Sequence, residues 1–79
     1  MTGDVLNEVR SVAADIFAVD LKTLTGASCP EQVEVWDSVQ HLNLVLALEG
    51  KYGIEFAPEE MERMQDLAAI AALVRTKIT

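Results

Sequence analysis

Apolar residues return at helical spacing in three stretches of this chain, and the segments between them break the rhythm. In the first stretch Val5, Leu6, Val9, Val12, Ala13, Ile16 and Phe17 recur at i, i+3, i+4 and i+7, with Glu8, Arg10 and Asp15 off the main face. This predicts a helix over about residues 4–17, capped by Thr2 or Asp4. Residues 18–36 follow no period, because Asp20, Thr23, Thr25, Gly26, Ser28 and Pro30 interrupt it. A connection this long inside a compact domain is uncommon and often functional. Leu21, Leu24, Val33 and Val35 are expected to tack it onto the helices, and residues 21–24 to form one helical turn.

The second stretch, about residues 38–51, carries two apolar stripes. His41, Val45, Leu48 and Tyr52 suit a core face, while Val39, Leu42 and Leu46 point to a different side among Gln40, Asn43 and Glu49, read as solvent residues. Such a helix is either sandwiched in the core or shows its second stripe to a partner. Gly53 is the expected left-handed stop. Ile54-Glu55-Phe56 alternates, but with no second strand to pair it reads as an extended link whose Ile54 and Phe56 plug the core. Pro58 opens a short acidic helical turn through Met64. The last helix, about 66–77, is capped by Asp66 and buries Leu67, Ile70, Ala71, Leu73, Val74 and Ile78, with Arg75 and Lys77 at its C-terminal end. The fold class is therefore all-α, a small four-helix bundle of three longer helices and one short one, with a long loop between the first two.

Composition narrows the choice of function. At 79 residues the chain reads as one domain, 1–79, and a domain of this size buries roughly 60–65% of the surface its unfolded form exposes. With 51% hydrophobic residues but only 5% aromatic, the core must come from Leu, Val, Ile and Ala. So short a chain cannot enclose a deep active site, which argues against an enzyme. Thirteen acids against six bases give a net charge of −7. That surface repels nucleic-acid phosphates and anionic lipid, and it attracts proteins with basic patches. The single Cys29 excludes an internal disulfide and a cysteine-rich metal site. No charged-then-apolar leader and no apolar run of membrane-spanning length is present, so a cytoplasmic protein is expected.

Candidate chemistry gathers where the second helix begins. Asp37 as N-cap and Gln40 three residues on fit a capping-box variant, which places Ser38 at the first helical position with its side chain in water. A phosphoester there would sit among unpaired backbone N–H groups at the positive end of the helix dipole. The bland reading is that an Asp-Ser pair merely caps a helix. A hydrolase triad lacks support: His41 is the only histidine and no oxyanion-hole loop is evident. His41 is expected at the edge of the core or beside Ser38. The acids at 59, 60 and 62 point in different directions and show no EF-hand spacing, so they read as a solvated face and no metal site is expected.

Taken in order, these features resemble the acyl carrier proteins of the stand-alone bacterial kind. The likeness spans the first amphipathic helix, the long loop, and Asp37-Ser38-Val39 in place of the family's Asp-Ser-Leu. It continues through residues 44–49, through 52–56, and into the acidic turn at Pro58. The resemblance implies that Ser38 carries 4′-phosphopantetheine, added from coenzyme A by a phosphopantetheinyl transferase, and that its thiol holds acyl groups as thioesters. It implies further that the protein is a monomeric carrier and not an enzyme. Fatty-acid, polyketide or related biosynthetic enzymes, whether acyl-activating or synthase, would be its partners. Asp37 would be the motif acid at the transferase contact. Val39, Leu42 and Leu46 would face partners, and Leu48, Ile54 and Phe56 would line an acyl cavity.

This chain departs from the family pattern in three ways. Val39 replaces leucine, and Trp36 stands where fatty-acid carriers usually have a small residue. The recognition helix carries Gln40, His41, Asn43 and Lys51, with Glu49 its only acid. A specialised carrier is therefore expected. The alternatives are an aminoacyl or D-alanyl carrier, and an unmodified acidic helical interaction domain.

Overall fold

The computed structural model describes residues 4–78, and the candidate cap Thr2 lies outside them. Among the described residues the chain forms four α-helices and no strand: α1 (Val5–Phe17), α2 (Ser38–Tyr52), α3 (Pro58–Met61) and α4 (Leu67–Ile78). A 3-10 turn at Leu21–Thr23 lies in the long loop, where one helical turn was expected. Helix α1 packs against both α2 and α4. The buried residues of all these elements join in one cluster, with Val9, Leu44, Leu48, Leu67, Ile70 and Val74 fully enclosed.

Each of the three longer helices is capped at its start by an aspartate. Asp4 accepts from the Leu6 N–H at 3.0 Å, Asp37 from Gln40 at 2.9 Å and Asp66 from Ala69 at 2.8 Å. These bonds pair N–H groups that have no partner inside the helix. Helix α1 ends at Ala18 in the left-handed conformation, and α2 ends at Gly53 with φ 66° and ψ 41°. At Gly53 the absence of a Cβ makes that conformation inexpensive.

The long loop is held by polar contacts more than by the apolar anchors expected. Leu24 is buried and Val33 half-buried against the core, but Leu21 and Val35 are exposed. Their place is taken by Arg10, whose guanidinium donates to the Leu24 carbonyl at 2.8 Å and the Leu21 carbonyl at 3.1 Å. Further along, the Ser28 and Gly26 carbonyls accept from the N–H groups of Leu67 and Ala68. The loop thus caps the N-terminus of α4. Gly26 comes close enough for this because it lacks a side chain: a Cβ there would meet Leu6 at 3.3 Å and Ala68 at 3.4 Å.

Three other expectations are corrected. The helical turn after Pro58 ends at Met61 instead of running to Met64. Ile78, expected in the core face of the last helix, is exposed, because the helix has by then passed the end of the bundle core. Glu49 and Glu60 are not solvated side chains. The Glu49 carboxylate accepts from the Phe56 N–H at 2.9 Å, pinning the extended link. Glu60 accepts from the Ala57 N–H at 2.7 Å and pairs with Lys77 at 2.9 Å, which ties α3 to α4. These two donors hold the Glu60 carboxyl below the usual carboxylate range. Glu8, placed off the main face of α1, takes a hydrogen bond from the Tyr52 hydroxyl. Burial and the Glu8 carboxylate raise the Tyr52 phenol above its ordinary value.

Candidate functional site

A tight turn delivers the chain to the start of α2. The Trp36 N–H donates to Val33 and the Asp37 N–H to Val35, which leaves Asp37 extended with φ −97° and ψ −172°. From there its carboxylate caps the Gln40 N–H, and its carbonyl accepts the His41 N–H at 2.8 Å. The other half of the expected capping box does not form. The Gln40 side chain turns away to the Ile16 carbonyl at 3.3 Å and accepts from Asn43, because α1 lies within its reach.

Ser38 is the first residue of α2, is exposed, and its hydroxyl hydrogen-bonds to no described residue. The backbone N–H groups of Ser38 and Val39 are likewise without a protein partner among the described residues, as the first N–H groups of a helix must be unless something caps them. Capping therefore falls to Asp37 alone, and the serine oxygen is left free at the positive end of the helix. The donor set suits a phosphoester: a free hydroxyl to bear it, and unpaired N–H groups beside it to receive its oxygens.

Behind Ser38, Trp36 is buried to 3% exposure, deeper than a residue next to an exposed turn would suggest. Its indole N–H donates to Nδ1 of His41 at 3.0 Å, and the two rings stack at 5.9 Å. On the core side Trp36 packs against Phe17, with ring centroids 5.2 Å apart. Accepting at Nδ1 requires an imidazole that carries its proton on Nε2 when neutral. Trp36, His41, Asp37, Ser38, Pro30 and Met64 line an open hollow of about 480 Å³ beside the serine. Pro30 and Met64 were not singled out from the sequence. The only signal for Met64 was its spacing of three from Met61, in a segment that read as acidic surface.

Burial pushes the His41 imidazole below its ordinary value of 6.5. Well above pH 6.5 the imidazole is neutral in folded and unfolded chains alike, and its contribution to stability is whole. As the pH falls below that value, the unfolded chain takes up the proton first, so stability declines until the lowered folded value is reached. Trp36 is the only tryptophan, so its emission is expected to report loss of the His41 acceptor with a midpoint below 6.5. A folded-state imidazole that titrates at or above 6.5 by NMR overturns this.

The remaining residues singled out from the sequence fall into two groups. Val39, Leu42 and Leu46 are exposed at 67%, 50% and 55%, so the second stripe of α2 faces outward and is not sandwiched in the core. The inward face is Val45 and Leu48 together with Leu44, while His41 and Tyr52 stand half-buried at its edges. Leu44 was missing from the expected stripe. Leu48 and Phe56 are buried and Ile54 half-buried against the same core, and none of the three lines the hollow at Ser38.

Comparison with known proteins points the same way as the order of these elements. No family model matches the chain. An acyl carrier protein of Thermosynechococcus vestitus is 29% identical over 76 residues, which are 95% of this chain and 93% of that protein. The solution NMR structure of holo acyl carrier protein from Geobacter metallireducens is 29% identical and matches with a TM-score of 0.87, over 96% of this chain and 87% of that one. In sequence and in fold, over nearly all of its length, the chain resembles the acyl carrier proteins.

Proposed function

We propose that this protein is a carrier of acyl groups, with Ser38 bearing 4′-phosphopantetheine whose thiol holds the cargo as a thioester. The observation that carries this reading is the free hydroxyl of Ser38 at the first position of α2, beside unpaired N–H groups and relieved of capping by Asp37. The holo state named for the Geobacter protein supports it. The prosthetic group supplies the reactive thiol, and the chain's own residues supply attachment, orientation and docking. Asp37 fixes the direction of the serine by capping the helix. The protein itself catalyses nothing, acts in the cytoplasm as a single domain, and passes cargo between partner enzymes.

Intact-mass measurement tests the attachment. After incubation with coenzyme A and a broad-specificity phosphopantetheinyl transferase, the wild type is expected to gain one phosphopantetheine and Ser38→Ala none. No gain on the wild type, or equal gain on both, sinks the carrier reading in favour of an unmodified helical interaction domain.

The exposed face of α2 is the docking surface in this reading. Val39, Leu42 and Leu46 offer apolar contact there, and Glu49, the one acid within α2, is engaged by the Phe56 N–H. Partners that recognise a row of acids on this helix find little to hold. The protein therefore serves a dedicated pathway, and charging by general fatty-acid synthase enzymes is expected to be poor beside that of a general carrier. Equal charging would count against this. Val39→Asp should change stability by less than about 0.5 kcal/mol, as an exposed substitution does. It should nevertheless lower kcat/KM for the transferase by about tenfold or more, given the ~1.5–3 kcal/mol of a buried valine side chain. The reverse pattern would place Val39 in the core.

A further inference from the structure

The hollow beside Ser38 is open at the surface and closed at its base. Its exposed members, Pro30, Asp37 and Ser38, stand at the rim, whereas Trp36 and Met64 are buried to 3% and 5% and form the floor with half-buried His41. Trp36 belongs to the hollow and to the core at once, since the same ring packs on Phe17. Trp36 therefore stands where the hollow meets the core cluster that also holds Leu48 and Phe56. Three contacts hold it there: the Phe17 ring, the stacked His41 ring, and the indole hydrogen bond to Nδ1. A buried indole N–H that loses its acceptor has no water to replace it. His41 also lines the hollow, and its Nε2 has no partner among the described residues, so it can donate to a polar atom lying there.

We propose that Trp36, pinned by His41, is a specificity-determining residue of this carrier: it closes the way from Ser38 into the core, keeps the thioester-bound group at the surface, and suits the protein to short or polar acyl cargo. The inference rests on the reading that Ser38 carries the prosthetic arm. Long alkyl chains gain nothing here, because the apolar interior that would shelter them lies behind the indole. Short acyl groups need no shelter, and a carbonyl or hydroxyl on them can meet the His41 Nε2–H. The expectation that Leu48, Ile54 and Phe56 line an acyl cavity is replaced, in this proposal, by a hollow built on Trp36, His41 and Met64.

Reaction of the loaded carrier with hydroxylamine tests this, with acetyl and octanoyl groups each installed on Ser38 from the corresponding acyl-coenzyme A. Each rate is divided by that of the free acyl-coenzyme A, which removes intrinsic reactivity. Because only the exposed fraction reacts, a chain buried nine-tenths of the time is slowed about tenfold. The normalised octanoyl and acetyl rates of the wild type are expected to agree within about twofold. Octanoyl protection of about fivefold or more overturns the proposal. Trp36→Leu, which keeps an apolar side chain but frees the space of the second ring, is expected to gain octanoyl protection. Lack of that gain in a folded variant removes the role from Trp36, and if the variant does not fold, the wild-type ratio still decides whether the floor is closed. Failure of the serine to accept any arm is seen first by mass, and it counts against the carrier reading itself.

Discussion

Trp36→Ala is expected to lower the unfolding free energy by about 3–5 kcal/mol, the range for removing a buried aromatic side chain. The ring is 3% exposed, stacks on His41, packs on Phe17 and donates its only N–H to Nδ1 of His41. Truncation empties that volume at the junction of the loop, α1 and α2, and it leaves the imidazole nitrogen to find another donor. Chains of this length have a total stability of about 4–12 kcal/mol, so the variant should lose a large share of it. Urea unfolding followed by circular dichroism measures this, since the variant lacks the fluorophore. A loss below about 1 kcal/mol would show that the site collapses around the missing ring, and that Trp36 fills space without organising it.

The second large effect is expected for Phe56→Ala, again about 3–5 kcal/mol. The ring is 8% exposed and lies in the core cluster, and the backbone N–H of the same residue is held by the Glu49 carboxylate. The Lys77 ammonium sits 5.6 Å from the ring centroid, and it also pairs with Glu60 at 2.9 Å. Loss of the ring therefore removes the plug of the link after α2 and one of the two attachments of Lys77 near α3. Because α3 has only four residues, it cannot persist on its own hydrogen bonds and should loosen with the plug. Denaturant unfolding gives the size of the effect, and hydrogen exchange at Glu60 and Met61 gives its spread. A loss below about 1 kcal/mol would place Phe56 outside the core.

Both substitutions act where sequence periodicity was least informative. The helices themselves were readable because each needs only local information: apolar residues on one side, an acid before the first turn, and a glycine after α2. Asp4, Asp37, Asp66 and Gly53 all act at the termini in this way. The two-stripe character of α2 was also readable, but its meaning was not. Whether Val39, Leu42 and Leu46 face water or protein depends on how many neighbours pack around the helix, and only the assembled bundle answers that.

The errors share one cause. Polar side chains were assigned to solvent by type, although Glu49, Glu60 and Gln40 each find a specific partner within the fold. Apolar loop residues were assigned to the core by type, yet Leu21 and Val35 remain exposed while Arg10 and two loop carbonyls do the anchoring. A carbonyl looks the same at every position of a sequence, so the capping of α4 by Gly26 and Ser28 leaves no trace in residue types. The Trp36–His41 bond joins residues five apart, across the turn into α2. Its donor and acceptor could be named from sequence, but not the burial that makes the bond matter.

The sequence by itself determined the three longer helices, the aspartates that cap them and the position of a free serine at the head of α2, because these follow from spacing and local hydrogen bonding. Tertiary structure alone decided what surrounds that serine. It turned Trp36 inward against Phe17, set His41 to hold it, and brought Pro30 and Met64 to the same hollow from distant parts of the chain. The physical reason is that burial and partner choice are properties of packed neighbours, which a linear order of residues does not contain.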